Sequence, residues 1–207
     1  MADIKPTRSE FIDTKRKIKL SQNGYKILKM KRDGLIMEFF KILEQARDTR
    51  GALMTNYQRA QEMMAIANTI EGSIGVKAAA FSVRENPEIT LKSKNIMGVV
   101  VPQIESTQVR KGIADRGYGV IGTTPVIDDT AKAFEELVEA IIKSAEIETT
   151  MKRLLNEIES TKRRVNALEF KVIPNLISTR DFIKMRLDEM EREELFRLKK
   201  IKARTQA

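Results

Sequence analysis

Apolar residues recur every seven positions along the first third of the chain. Between residues 11 and 74 the recurring positions, most of them apolar, are Phe11, Ile18, Tyr25, Arg32, Phe39, Ala46, Leu53, Ala60, Ala67 and Ile74. A companion series lies four residues before them and comprises Leu28, Leu35, Ile42, Thr49, Asn56, Met63 and Ile70. Together we name them the seam series. Alternating steps of four and three residues place the seam series on one helix face, as in a left-handed coiled coil.

The ends of this first helix carry signals of their own. Thr7 and Glu10 have the spacing of a capping box, in which the Thr7 side chain accepts from the Glu10 N–H and the Glu10 side chain reaches back to the Thr7 N–H. Gly72 and Gly75 favour an end near Glu71. The signals predict one helix of about 95 Å, which is too long to be stable without a partner.

A second periodic segment fills the C-terminal third of the chain. It is predicted to start at Asp128 or Asp129, just after Pro125, and to run to about Ala203. Pro174 lies inside it, where proline removes a hydrogen bond and clashes with the preceding turn. The apolar spacing also changes there, to an eleven-residue unit formed by Val165, Leu168, Val172 and Leu176. We therefore expect a kink or a straightened stretch near Pro174.

Between the two helices, residues 72–127 have a different composition. They hold seven of the ten Gly and three of the five Pro, with β-branched runs at 89–91, 99–101 and 120–121 and a short helix-forming run at 77–81. Two long helices from opposite ends of one chain can most simply cover each other's apolar faces by folding back antiparallel. The expected fold class is therefore all-α dominated. It is a long antiparallel two-helix coiled coil of the N- and C-terminal helices (1–71 and 128–207), with a small irregular or β-hairpin region (72–127) between them.

Composition narrows the classes of function. Among the 207 residues there is no Cys and no His, so disulfides, thiolate metal sites and the commonest general base are absent. Charged residues make up 32% and aromatic residues 5%, which suits a narrow helix seam better than a wide core. The sequence has neither a long apolar span nor a signal-peptide pattern, so we expect a soluble protein in a reducing cytoplasm. We expect no cofactor, no metal site and no catalytic residue.

Positive charge is concentrated at the two ends of the chain. The net charge is +9, to which residues 1–34 contribute +6 (ten basic, four acidic) and residues 180–207 contribute +3 (nine basic, six acidic). Antiparallel pairing would bring both basic ends to one tip, which either keeps the protein soluble or docks into an acidic partner. The candidate residues are Lys15, Arg16, Lys17 and Lys19 with Lys199, Lys200, Lys202 and Arg204.

Three further features have competing interpretations. The seam series becomes small or polar at Ala46, Thr49, Asn56, Ala60 and Ala67, which either lets the helices approach closely or leaves a stretch for a third element to cover. Residues 117–122 match G-x-G-x-x-G, but a dinucleotide site needs a strand before the motif and a helix opening on it. Thr123-Thr124-Pro125 follows instead, so we interpret the motif as a loop. Arg32, inside the seam series, either extends to solvent or pairs with a carboxylate across the seam.

Three stretches, in order along nearly the whole chain, resemble the D subunit of archaeal-type and vacuolar-type rotary ATPases. They are GYKILKMKRDGL at 24–35, GVVVPQIE at 98–105, and a long stretch with RRVNALE at 163–169, VIP at 172–174, LDEMEREE at 187–194 and FRLKKIK at 196–202. The resemblance departs at Gly34, where the family more often has a good helix former.

The resemblance implies a non-catalytic central rotor shaft that transmits torque between a membrane ring driven by ions and a catalytic hexamer. It implies four partners: the A and B subunits of the hexamer, the small F subunit of the stalk and the cup-shaped C subunit. It also implies a peripheral place on the cytoplasmic side of the cell membrane, without insertion into it. The basic residues named above would then lie at a tip within the hexamer, and Ala46, Asn56, Ala60 and Ala67 near the face for the F subunit. The alternatives are a basic coiled-coil adaptor and a nucleic-acid-binding protein, although no recognised nucleic-acid motif is present.

Overall fold

A computed structural model describes residues 5–83, 89–106, 109–112, 116–119 and 123–205. Its elements are α1 (Arg8–Ile70), α2 (Gly72–Ser82), β1 (Ile89–Ile96), β2 (Val99–Ser106), α3 (Pro125–Ala167), a π-helical turn (Leu168–Val172) and α4 (Ile173–Thr205). The chain divides into two compact units. The terminal unit comprises the residues up to Gly34 and from Ile158 onward, and the central unit comprises Leu35–Glu157.

The expected fold class is confirmed: long N- and C-terminal helices dominate, and a two-stranded antiparallel hairpin lies between them in sequence. In the terminal unit the start of α1 contacts the far part of α4, where Arg8 Nη2 lies 2.7 Å from Glu191 Oε1. In the central unit the far part of α1 contacts the start of α3, where Arg59 lies 3.5 Å from Glu136. Both contacts are those of antiparallel helices.

Helix α1 begins where the capping signal predicts, but only half of the capping box forms. Thr7 Oγ1 accepts a hydrogen bond from the Glu10 N–H at 3.2 Å. The Thr7 N–H donates to the Lys5 carbonyl, not to Glu10. The Glu10 carboxylate instead lies 3.9 Å from Lys17 Nζ. One oriented side chain is therefore enough to start this helix.

The seam series is the inward face of α1 as far as residue 67. Ile18, Leu35, Ala60 and Ala67 are buried, and the other members up to that point are half-buried. The prediction is wrong for Ile70 and Ile74, which are exposed. The reason is a break in the backbone: α1 ends at Ile70, and Gly72 adopts φ +75°, a conformation that only glycine takes without strain.

In the terminal unit the buried side chains come from α1, α3 and α4. They are Thr14, Ile18, Thr161, Val165 and Ile183. One interpretation of the sequence expected Arg32 to pair with a carboxylate across the seam, but it does not. Its guanidinium binds the carboxylate of its neighbour Asp33, at 2.8 Å, and its side chain is one-quarter exposed.

Near Pro174, where the sequence predicts a kink or a straightened stretch, the helix contains a π-helical turn at Leu168–Val172. The Ile173 N–H donates to the Leu168 carbonyl, five residues back instead of four. A wider turn makes room for the proline ring, which would clash with the preceding turn of an α-helix. The second helix also begins earlier than predicted, at Pro125, because proline fits the first turn, where its missing N–H is not needed.

The core of the central unit depends on small residues. Ala60, Ala133 and Leu137 form a buried cluster, with Leu53, Met63 and Phe134 packed against it. Two facing alanines let α1 and α3 approach closely enough for Thr130 Oγ1 to lie 3.2 Å from the Met63 carbonyl. The small seam residues at this point therefore serve close helix packing.

The segment between the helices contains one helix and one hairpin. Helix α2 is longer than the short run predicted at 77–81. The runs at 89–91 and 99–101 lie in β1 and β2, and the run at 120–121 lies outside the described residues. Met97 (φ 51°) and Gly98 (φ 85°) form the two-residue turn, whose positive φ values match the twist of a hairpin. Val99 and Val101 are buried.

One buried cation anchors the segment that follows the hairpin. Arg116 is 3% exposed, and its guanidinium lies 3.2 Å from Asp128 and 3.1 Å from Glu135, both at the start of α3. Burial works to lower the pKa of Arg116, but hydrogen bonds with Glu135 and Tyr118 outweigh it and raise that pKa. Burial and a 2.7 Å hydrogen bond to Asp128 raise the pKa of Tyr118, so its hydroxyl stays protonated and donates.

We predict that Arg116→Ala destabilises the protein by about 3 kcal/mol, because two carboxylates of α3 lose their shared counter-charge. Urea denaturation followed by helical circular dichroism measures the change. Arg110→Ala is the matched control, because Arg110 pairs with Glu139 on the same helix but is exposed. We expect little change in that variant. Equal urea midpoints for the two variants would show that the buried network does not stabilise the fold.

Candidate interaction surfaces

The described residues contain no group of three or more Asp or Glu residues placed to hold a metal ion. None of the described helices is long and apolar enough to cross a membrane. In the G-x-G-x-x-G match, the Tyr118 hydroxyl is bound to Asp128, and residues 120–122 lie outside the described residues. The next helix starts only at Pro125. The described residues offer charged and apolar surfaces as candidate sites.

The N-terminal basic group lies on exposed positions of α1 in the terminal unit. Lys15 Nζ lies 4.3 Å above the Phe11 ring. Arg16 lies 3.6 Å from Asp13 and Lys17 lies 3.9 Å from Glu10, whereas Lys19 is simply exposed. Interactions with neighbours on the same helix leave these cations at the surface, where they can exchange partners.

The C-terminal basic group lies near the end of α4, in the same unit. Lys199 Nζ lies 5.9 Å from the centre of the Phe196 ring, and Lys200, Lys202 and Arg204 are exposed. Every residue from Glu191 to Thr205 is exposed, including Leu198 and Ile201. This end of α4 therefore combines positive charge with uncovered apolar side chains.

The pairing register separates the two basic groups along the helices. The contact of Arg8 with Glu191 fixes the register. From that contact Lys15 lies seven residues along α1, whereas Lys199 lies eight residues along α4 in the opposite direction. At about 1.5 Å per residue the groups are offset by roughly 20 Å, so they are not side by side as antiparallel pairing alone suggested.

The four residues expected near the face for a small stalk protein are found in different environments. Ala60 and Ala67 are buried by the chain itself and present almost no surface in this structure. Ala46 lines an open groove of about 870 Å³ between α1 and α3. Asn56 lines a smaller groove of about 470 Å³, beside Arg110 and Glu136.

The larger groove, which we name the α1/α3 groove, has an apolar floor and charged rims. Phe40 and Leu43 contribute from α1, and Ile147 and Met151 from α3. Phe40 is 61% exposed, although it is a large aromatic side chain. Sequence reasoning did not single out Phe40 or Leu43. The available signal was that both are apolar and lie outside the seam series.

Comparison with known proteins agrees with the resemblance drawn from the three sequence stretches. The family model for the D subunit of ATP synthase matches residues 10–203. The chain is 78% identical over 204 residues to the D subunit of the A-type ATP synthase of Methanoregula boonei, with 99% of this chain and 98% of that protein covered.

Further relatives match over nearly the same length of the chain. The D subunit of the A-type ATP synthase of Methanosarcina acetivorans is 62% identical over 202 residues, with 98% of this chain and 97% of that protein covered. The corresponding protein of Haloarcula marismortui is 55% identical over 202 residues, with 98% and 88% covered. The chain belongs to the family of ATP synthase D subunits.

Proposed function

We propose that this chain is the non-catalytic central rotor shaft of an A-type ATP synthase and transmits torque between a membrane ring driven by ions and a catalytic hexamer. The observation that carries the proposal is the antiparallel pairing of helices from the two ends of the chain, in a member of the D-subunit family. Two helices packed along a seam resist bending and twisting better than either helix alone. Torque transmission requires such stiffness.

The partners we propose are the A and B subunits of the hexamer, the small F subunit of the stalk and the cup-shaped C subunit. The complex would place the chain on the cytoplasmic side of the cell membrane, as a peripheral component. The basic ends of α1 and α4 suit a tip that turns within a protein sleeve, because exposed ion pairs are each worth only about 0–1 kcal/mol. Contacts this weak can be exchanged at each step without holding the shaft in one position.

The F subunit is the partner that we propose for the α1/α3 groove. The groove exposes Phe40 and Leu43 beside Ala46, one of the residues expected near this face. A partner that covers these side chains gains apolar burial, and the charged rim residues Arg47 and Glu148 can orient it. The nucleic-acid alternative gains no support from this groove, because its floor is apolar.

Rotation of a labelled chain tests the proposal directly. The chain has no Cys, so Lys77→Cys on α2 provides a single attachment point in this protein for a biotinylated probe before the complex is assembled. We expect ATP to drive rotation of the probe in one direction relative to the immobilised hexamer, and no rotation when ATP is withheld. A probe that stays still while the complex hydrolyses ATP would contradict the rotor function and favour the adaptor alternative.

We predict that neutralising the C-terminal basic group lowers the coupling between ATP hydrolysis and ion transport. The variant changes Lys199, Lys200, Lys202 and Arg204 to Gln. The loss should be partial, since each exposed contact is worth about 0–1 kcal/mol. Coupling is measured as ions transported per ATP hydrolysed in the assembled complex. A control removes four exposed charges of α3, by changing Lys132, Lys162, Arg163 and Arg164 to Gln. Unchanged coupling in the first variant would remove this group from the mechanism.

We predict that Leu43→Glu weakens binding of the F subunit about tenfold or more, because a charge replaces an apolar side chain that the partner would bury. Co-purification of the two proteins, followed by titration, measures the affinity. Met54→Glu is the matched control, since Met54 is also an exposed apolar residue of α1 but does not line the α1/α3 groove. If both variants bind the F subunit equally well, the groove is not its docking site.

A further inference from the structure

The hairpin has two outer edges, and the turn geometry shows which backbone groups face each of them. The sheet formed by the described residues has two strands. A two-residue turn joins Ile96 to Val99, so that pair is hydrogen-bonded and the pairs alternate from there. The backbone groups on the outer edges therefore belong to Ile89, Leu91, Ser93 and Asn95 in β1. In β2 they belong to Val100, Pro102, Ile104 and Ser106.

The outer edge of β2 is closed by the chain itself. Pro102 has no N–H to offer a further strand, and it stands opposite Ser93 at a pair whose groups face outward. The outward carbonyl of Val100 already accepts a 2.7 Å hydrogen bond from Arg153 of α3. This edge therefore cannot accept another strand along its length.

Among the residues that the structure describes, no proline and no side-chain hydrogen bond of the kind seen at Val100 protects the outer edge of β1. The strand contains no proline, and every residue from Ile89 to Asn95 is exposed. Leu91 is 69% exposed, on the same face as Ile89 and Ser93. An exposed strand edge presents unpaired N–H and C=O groups that readily pair with another extended chain.

The positive charge of β1 limits which strands can pair with its outer edge. Lys92 and Lys94 point to one face of the strand, and β1 has no acidic residue. Lys92 is paired with Glu105 at 2.7 Å, whereas Lys94 has no carboxylate partner among the described residues. Antiparallel pairing of two β1 strands about Ser93 would set Lys92 of one copy opposite Lys94 of the other. Like charges in that position repel, which disfavours a second copy of this chain.

We propose that the outer edge of β1 is a strand-addition site for an extended segment of another protein of the ATP synthase. The recognised segment alternates acidic and apolar residues. Its acidic side chains face Lys92 and Lys94, and its apolar side chains lie beside Ile89 and Leu91. Its backbone pairs with the outward groups of Leu91, Ser93 and Asn95. The site rests on the proposed membership of the complex, but it does not depend on whether the chain rotates.

Amide hydrogen exchange, resolved to single residues, tests the site in the isolated full chain and in the assembled complex. We expect the outward amides of Leu91, Ser93 and Asn95 to exchange quickly in the isolated chain and at least about tenfold more slowly in the complex. The inward amides of Thr90, Lys92 and Lys94 are already paired with β2 and should change much less. This alternation distinguishes strand pairing from simple coverage of the hairpin.

Two variants at one position separate the backbone from the side chain. Ser93→Pro removes an outward N–H without breaking a bond to β2, and Ser93→Thr keeps it. In complexes of the proline variant the amides of Leu91 and Asn95 should return to fast exchange, and in the threonine variant they should stay slow. Circular dichroism and co-purification confirm that both variants fold and assemble.

Three results would contradict the proposed strand-addition site. The first is fast exchange of the outward amides in the wild-type complex. The second is equal protection in the Ser93→Pro and Ser93→Thr complexes, which would assign the protection to something other than strand pairing. The third is protection that appears in the isolated chain as its concentration rises, which would mean that a second copy is the occupant. Failure of the wild-type chain to enter the complex would instead contradict the proposed function, and co-purification detects it separately.

Discussion

The close approach of α1 and α3 at Ala60 and Ala133 is the contact on which the central unit depends. Two helices come this near only where the side chains between them are small, and the larger side chains of Leu53, Leu137 and Phe134 then pack around the contact. Alanine contributes little apolar area, so the pairing gains less from burial than a seam of leucines would. Ion pairs and hydrogen bonds also stabilise this unit. The most buried of the ion-pairing groups is the guanidinium of Arg116, which binds two carboxylates of α3.

The break after α1 sets the positions of the elements that follow. Gly72 turns the chain with φ +75°, and the Glu71 carboxylate then accepts a 2.8 Å hydrogen bond from the Thr124 N–H, immediately before α3. A side chain at position 75 would crowd that carboxylate, since an added Cβ would lie 3.3 Å from Glu71 Oε2. One carboxylate thus links the end of the first long helix to the start of the second. The hairpin lies within the same unit and is held to α3 through Arg153 and Val100.

Much of the fold could be predicted because helix periodicity and capping are local properties. The seam series located the buried face of α1 as far as Ala67, and Thr7 located its start. The sequence predictions were wrong where two local signals favoured different structures. Ile70 and Ile74 continue the heptad spacing, but Gly72 ends it. Pro125 was interpreted as a residue before the second helix, although proline also fits the first turn inside one.

The sequence by itself determined the class of architecture, the family and the residue types available for contact with partners. Spacing, charge and glycine placement are encoded one residue at a time. Only the tertiary structure decided which of those residues are accessible. It buried Ala60 and Ala67, exposed Phe40 and Leu43, and set the basic groups of α1 and α4 apart along the helices. It also closed one edge of the hairpin and left the other open. These outcomes depend on helix register and strand pairing, which join residues far apart in the chain and therefore leave no signature in any short stretch of it.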